Sequence, residues 1–310
     1  MRVVVALGGN ALLRRGEQPD AQVQRDNVDR AVESLALIAQ DHEVVITHGN
    51  GPQVGVLALQ SASDPRLSTP YPFDVLGAQT QGMIGYWLLQ SLQNTVPHGQ
   101  VAAVINQTLV SAADPALTEP TKFIGETYDR ATAVQLQAER GWTIRQDGQH
   151  WRRVVGSPKP LRVVETRIIR RLVEAGVMVV CAGGGGVPVI RNEDGQLQGI
   201  EAVVDKDATA ASLAESLDAD ALLILTDVKG VYRNFGTEDA EMISRSTPGA
   251  LRRELLPEGS MGPKVESAAQ FVELTGGFAG IGTLTEAAEI LQQRAGTTVT
   301  TSVEEPGAPV

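Results

Sequence analysis

The chain has 310 residues, of which 42% are hydrophobic, 20% charged and only 4% aromatic; this is a soluble globular make-up and excludes a disordered chain. Its 26 Lys and Arg against 37 Asp and Glu leave a formal charge of -11, which with so few stacking rings and no basic stripe excludes a nucleic-acid binder. The one cysteine, Cys181, excludes an internal disulfide framework and a thiolate metal cage, and no run approaches the roughly 18 apolar residues that span a bilayer.

Met1 to Leu7 enters a strand at once rather than a signal peptide, so a cytoplasmic protein is expected. Val3 to Leu7 is a short apolar run of the kind buried on both faces, and it ends in Gly8-Gly9-Asn10. Residues 21–39 predict a helix, because Val23, Val28, Ala31, Val32, Leu35 and Ile38 share one face. Val44 to Thr47 is a second buried strand, followed by His48-Gly49-Asn50-Gly51-Pro52; Pro52 suits the first turn of a helix. Asp74 to Gln90 is a further helix, and Val101 to Ile105 a third strand.

From about Ser111 to Pro160 the chain changes character. Pro115, Pro120, Pro158 and Pro160 and four glycines predict a hairpin-rich excursion or lid, against the plainer reading of a long surface loop. The alternation then restarts with a helix over 165–174, a strand over 177–182 and Gly183-Gly184-Gly185-Gly186. Residues 187–190 and 198–204 suit a hairpin around Asn192-Glu193-Asp194-Gly195. Asp207 is placed to cap a helix reaching Leu217, and Ala221 to Leu225 is a strand ending in Thr226-Asp227. Helices follow from Pro263 and over 284–293, and the Thr-, Pro- and Glu-rich tail from Gly296 is expected to be disordered. Strands alternating with helices define an α/β fold, a three-layer αβα sandwich around an open, mainly parallel sheet.

Three of the predicted strands end in glycine clusters. In an open α/β sheet ligands bind beyond the carboxyl ends of the strands, and bare backbone N–H groups there favour anions. Three clusters together suggest one extended anion site, though tight turns explain a single glycine pair as well. Gly49 to Gly55 comes near a dinucleotide fingerprint, but its spacing is off by one and that reading leaves the other two clusters idle.

Only five of the 26 basic residues are lysines: Lys122, Lys159, Lys206, Lys229 and Lys264. A compact ammonium on a flexible stem suits a travelling phosphoryl group. Lys122 lies in the excursion, Lys206 between Asp205 and Asp207, and Lys264 at the opening of a helix after Gly259-Ser260-Met261-Gly262-Pro263. The bland alternatives are that Lys206 pairs with its flanking aspartates and that Lys264 is solvated. Asp207 is read both as the helix cap and as a buried carboxylate holding lysines. His48 either contacts substrate or positions its turn; Lys159 faces solvent, and Cys181 is a small buried apolar residue.

Residues 6–12 and 48–55, together with Asp74-Val75-Leu76-Gly77-Ala78-Gln79-Thr80-Gln81-Gly82-Met83-Ile84-Gly85-Tyr86 and Pro120-Thr121-Lys122, closely resemble the carbamate kinase family. So do residues 183–189, 201–207, 225–228 and 259–266. The resemblance runs in order over about 1–293 and implies the amino-acid-kinase fold, a homodimer, and the reaction of ATP and carbamate with ADP and carbamoyl phosphate, usually toward ATP in arginine breakdown. It implies a carbamate-binding N-terminal half, a lid over about 111–160 and a nucleotide-binding half over about 177–293. Related kinases of this fold generally carry a lysine just before Leu-Gly-Gly, where this chain has Ala6; carbamate kinases take that charge from the protruding subdomain, which Lys122 matches. Phe123 and Gln79-Thr80 depart from the most frequent family pattern.

The resemblance assigns Gly8, Gly9, Asn10, Gly49, Asn50 and Gly51 to carbamate and the moving phosphoryl group, with Gly184 and Gly185 close to substrate or phosphate. Lys122, Lys206 and Lys264 would neutralise phosphate oxygens, Asp207 would orient them, and Thr226, Asp227, Val228, Tyr232, Met261 and Pro263 would line the nucleotide pocket. Mg²⁺ would be held mostly by phosphates and water, with no protein ligand named.

Overall fold

The computed structural model describes residues 1–14, 16–96, 98–254 and 261–302. In chain order its first part comprises β1 (Arg2–Leu7), α1 (Ala21–Ala39), β2 (Glu43–His48), α2 (Gly51–Ser63), α3 (Phe73–Thr95), β3 (Gln100–Ala103) and β4 (Gln107–Val110). The excursion follows with β5 (Lys122–Tyr128), α4 (Arg130–Arg140), β6 (Ile144–Asp147) and β7 (His150–Val155). Next come β8 (Pro160–Val163), α5 (Thr166–Glu174), β9 (Val177–Val180), β10 (Val187–Arg191), β11 (Leu197–Gly199), α6 (Lys206–Ser216) and β12 (Ala221–Thr226). The chain closes with β13 (Val231–Arg233), β14 (Glu241–Ile243), β15 (Arg245–Ser246), α7 (Pro248–Arg252), α8 (Met261–Thr275), β16 (Phe278–Thr283), α9 (Ala287–Leu291) and β17 (Thr297–Val299).

The large sheet has eight strands in the order β15-β17-β16-β12-β1-β2-β9-β3. All its pairings are parallel except β16 with β17. Period-two alternation divides the core. Val3, Val5 and Leu7 face α1, α3 and α9, while Val4 and Ala6 face α5, α6 and α8. Both faces are thus covered, which is why these strands read as unbroken apolar runs.

The sheet order does something the linear sequence hides: β1, β2 and β9 are neighbours, so their three glycine turns sit side by side on the carboxyl edge. The turns touch. A Cβ on Gly49 would stand 2.9 Å from the backbone nitrogen of Gly9, and one on Gly8 2.9 Å from the Leu225 carbonyl oxygen. Ala182, Gly184, Gly185 and Gly186 all have positive φ, a run that side chains resist.

The excursion is a small sheet, β5-β7-β6, with α4 packed on it. It meets the body through Ile124 and Val155, which join Val54, Phe73 and Leu76 in a separate apolar cluster. Gly55 of α2 and Gly125 of β5 come so close that a Cβ on Gly55 would lie 2.7 Å from the Gly125 Cα. Arg153 of β7 is held between the Phe73 and Trp142 rings, 4.7 and 4.4 Å from their centres.

Two sequence expectations are corrected. The tail expected to be disordered from Gly296 instead places Thr297–Val299 as a buried strand inside the large sheet; residues 303–310 of that tail lie outside the described residues. The cap of α6 is Asp205, whose side chain accepts from the backbone N–H of Asp207 and Ala208; Asp207 is inside the first turn with its carboxylate turned elsewhere. No helix of the described residues is long and apolar enough to cross a membrane.

Candidate active site

A cavity of about 240 Å³ opens where the glycine turns meet α6, α8 and β5. It is lined by Gly9, Gly49, Asn50, Gly51 and Gly184 on one side and by Lys122, Lys206, Asp207, Pro263 and Lys264 on the other. Residues from both halves of the chain and from the excursion therefore converge on one hollow. A larger hollow of about 640 Å³, around Met1, Arg2, Asp218 and Asp220, lies at the opposite edge of the sheet and contains none of these groups.

The chemistry of the cavity is set by charge. The Asp207 carboxylate accepts a hydrogen bond from Lys206 on one oxygen and from Lys264, at 3.1 Å, on the other. Asp207 is 3% exposed and Lys264 8%. Burial pushes the Asp207 carboxyl up, but the two ammonium groups outweigh it and hold the carboxyl below its usual range. Burial is the main force on Lys206 and pushes its pKa down; Asp207 pulls it up, and the neighbouring Lys264 ammonium adds to the lowering. Two buried ammonium groups meeting on one carboxylate give the cavity a cationic wall of the kind that suits an anion.

Lys122 reaches the rim from β5 and donates to the second oxygen of Asp205 at 2.6 Å. Ala6 is fully buried in β1, and Lys122 brings a third ammonium to the cavity from the excursion. His48 is buried behind the turns, where its Nδ1–H donates to the Gly49 carbonyl at 3.0 Å; burial pushes its pKa down to about 4, so it is neutral and positions the turn. Asn50 donates to Thr80 at 2.9 Å, and its amide packs against Gly184, where a Cβ would collide with it.

Several sequence candidates stand elsewhere. Gly8 and Gly185 lie behind the cavity wall, Gly8 against Leu225 and Gly185 against Val204. Asn10 donates to Asp227 at 2.7 Å and, with Thr226 and Asp227, lines a neighbouring hollow of about 610 Å³. Val228, Tyr232 and Met261 line neither hollow; Tyr232 packs on Phe235 with ring centres 5.8 Å apart. Gly259 and Ser260 lie outside the described residues. Sequence reasoning missed Asp205 as a partner of Lys122; its signal was the Asp-Lys-Asp run at a helix start. Cys181 is buried, and its thiol is pushed up to about 12 by burial.

Among the described residues no group of three or more His, Cys, Asp or Glu side chains is arranged to hold a metal ion. The two cavity carboxylates each already face an ammonium.

The fold and the cavity define a phosphotransferase. A model of the amino acid kinase family matches residues 1–277, and the chain belongs to that family. Within it the chain falls among the carbamate kinases. It is 47% identical to the carbamate kinase of Rhizobium meliloti over 306 residues, covering 97% of this chain and 94% of that one. The carbamate kinase of Haemophilus influenzae is 48% identical over 305 residues, 98% of each chain. The structure of carbamate kinase from Giardia lamblia bound to AMP-PNP superposes with a TM-score of 0.88 at 37% identity, covering 96% of this chain and 98% of that one.

Proposed function

We propose that the chain catalyses reversible phosphoryl transfer between ATP and carbamate, giving ADP and carbamoyl phosphate. The observation that carries this reading is the pair of buried ammonium groups on one carboxylate, facing a rim of glycine amides. In the forward direction a carbamate oxygen attacks the γ-phosphorus while the bond to the β-bridging oxygen breaks and its electron pair leaves with ADP. In reverse, an ADP oxygen attacks the phosphorus of carbamoyl phosphate and carbamate departs. Carbamate is already an anion, so no general base is required, in keeping with a buried neutral His48.

The difficulty is to bring two anions together in line. Two unit charges 4 Å apart interact by about 4 kcal/mol at an effective dielectric of 20. Lys122, Lys206 and Lys264, held beside the cavity by Asp205 and Asp207 before substrate enters, offset repulsion of that order. The amides of Gly9, Gly49 and Gly51 and the side chain of Asn50 hold carbamate and the moving phosphoryl group, with Gly184 facing them. Gly8 and Gly185 back that surface, and Asn10 stands beside it at the neighbouring hollow, held by Asp227. Thr226, Asp227, Val228, Tyr232, Met261 and Pro263 take the nucleotide. Mg²⁺ enters as part of the nucleotide substrate, coordinated chiefly by phosphates and water.

The same reading takes residues 111–160 as a lid, flux toward ATP in arginine catabolism, a cytoplasmic setting and a homodimer. Edge strand β3, with Tyr86 and Ile105 exposed beside it, supplies a surface for a second copy. The test is luciferase-coupled ATP formation from ADP and carbamoyl phosphate. Transfer to an amino-acid carboxylate instead, with none to or from carbamate, overturns the assignment.

A further inference from the structure

Asp205 does two jobs with two oxygens. Its Oδ1 accepts from the backbone N–H of Asp207 at 2.9 Å and of Ala208 at 3.1 Å, closing the open start of α6. Its Oδ2 accepts from the Lys122 ammonium at 2.6 Å. Capping alone needs only one oxygen, and Asn or Ser serves as well as Asp. Only a carboxylate offers a second, anionic oxygen to a lysine. The cap alone therefore does not account for Asp at this position, whereas the Lys122 contact does.

The elements on either side of this contact explain its value. The root of β5 is fixed: Ile124 is buried against α2 and α3, and Gly125 lies hard against Gly55. The Lys122 ammonium, by contrast, stands at the end of a four-carbon stem whose side chain is 40% exposed. Such a stem samples many rotamers unless something holds its end. Asp205 holds it at the mouth of the cavity, one residue from Lys206 and two from Asp207, so the same carboxylate orders α6 and the lysine that faces it.

We propose that Asp205 is a positioning residue, which holds the Lys122 ammonium at the rim of the cavity and yields it to phosphoryl oxygens when the substrate enters. The proposal rests on the reading of this cavity as a phosphoryl-transfer site. No bond is made or broken in the exchange: the ammonium trades a carboxylate oxygen for phosphoryl oxygens of greater charge. The contact is part-exposed, so its effect is modest and is carried by order more than by attraction.

The decisive variant is Asp205→Asn, which keeps the cap and removes the charge. ATP formation from ADP and carbamoyl phosphate is measured for wild type, Asp205→Asn, Lys122→Met and the double variant. Asp205→Asn lowers kcat about fivefold without raising the KM for carbamoyl phosphate, and in the Lys122→Met background the same change costs less than twofold. In parallel, amide hydrogen exchange at the start of β5 quickens several-fold while exchange in α6 is unchanged. Equal losses in both backgrounds, a raised KM at constant kcat, or faster exchange in α6 with β5 unmoved would each overturn the proposal. If the wild type makes no ATP from carbamoyl phosphate, the functional reading fails on that count, and the exchange comparison still decides whether Asp205 holds Lys122.

Discussion

Replacing Lys264 by Met separates catalytic charge from structural support. Lys264 is 8% exposed and shares the 3%-exposed Asp207 with Lys206. Met fills a similar volume and leaves one cation facing one anion. A charge near a developing phosphoryl anion is worth on the order of 4 kcal/mol at 4 Å and an effective dielectric of 20. Loss of one such preorganised group commonly costs about 10²–10³ in kcat. Lys264→Met is therefore expected to lower kcat at least about a hundredfold in the coupled ATP assay. A cooperative thermal melt should persist, because Met fills a similar volume and Asp207 keeps Lys206. Asp207→Asn should destabilise, costing about 3–5 kcal/mol in urea unfolding by removing the charged carboxylate that the two buried ammonium groups share. Full activity in Lys264→Met would remove Lys264 from the chemistry. A collapse of its melting temperature would show that the lysine serves the fold instead.

Gly55→Ala should push β5 outward, since the new methyl would sit 2.7 Å from the Gly125 backbone; a loss of about 1–3 kcal/mol in urea unfolding, with reduced kcat, is expected. His48 titrates near 6.5 when unfolded but at about 4 when folded, so the unfolded chain takes up the proton first as pH falls. Stability should be level above pH 6.5 and decline by about 3 kcal/mol on the way to pH 4, and His48→Gln should flatten that part of the urea-unfolding profile. Ile105→Asp beside edge strand β3 should shift a dimer to monomer in sedimentation velocity at micromolar concentration.

The main sheet was legible because strands covered on both faces must be apolar throughout, as in Val3 to Leu7 and Ala221 to Leu225. The glycine turns were legible because each followed such a strand. Strand β17 was not. Two of its three residues are Thr, and their polarity is cancelled only by tertiary partners: the Thr297 hydroxyl donates to the Ile243 carbonyl at 2.6 Å and accepts from the Val231 N–H at 2.8 Å. Helix α4 was hidden for a related reason, as Ala133 is its one buried residue, although Asp129 and Gly141 mark its two ends. At the site, the lysines stood out by rarity and the convergence on one cavity followed from strand order. The choice of Asp205 over Asp207 as cap depended on a two-residue offset of the helix start, which spacing alone does not fix.

The position of β17 has a bearing on how the molecule comes into being. It lies between β15 and β16, and among the described residues β15 has no other neighbour in the large sheet. Strand β17 is thus a keystone rather than a fringe. During synthesis the sheet stays open at that side until residue 299 has emerged, and a message stopped at codon 296 would yield a protein with β15 unmoored.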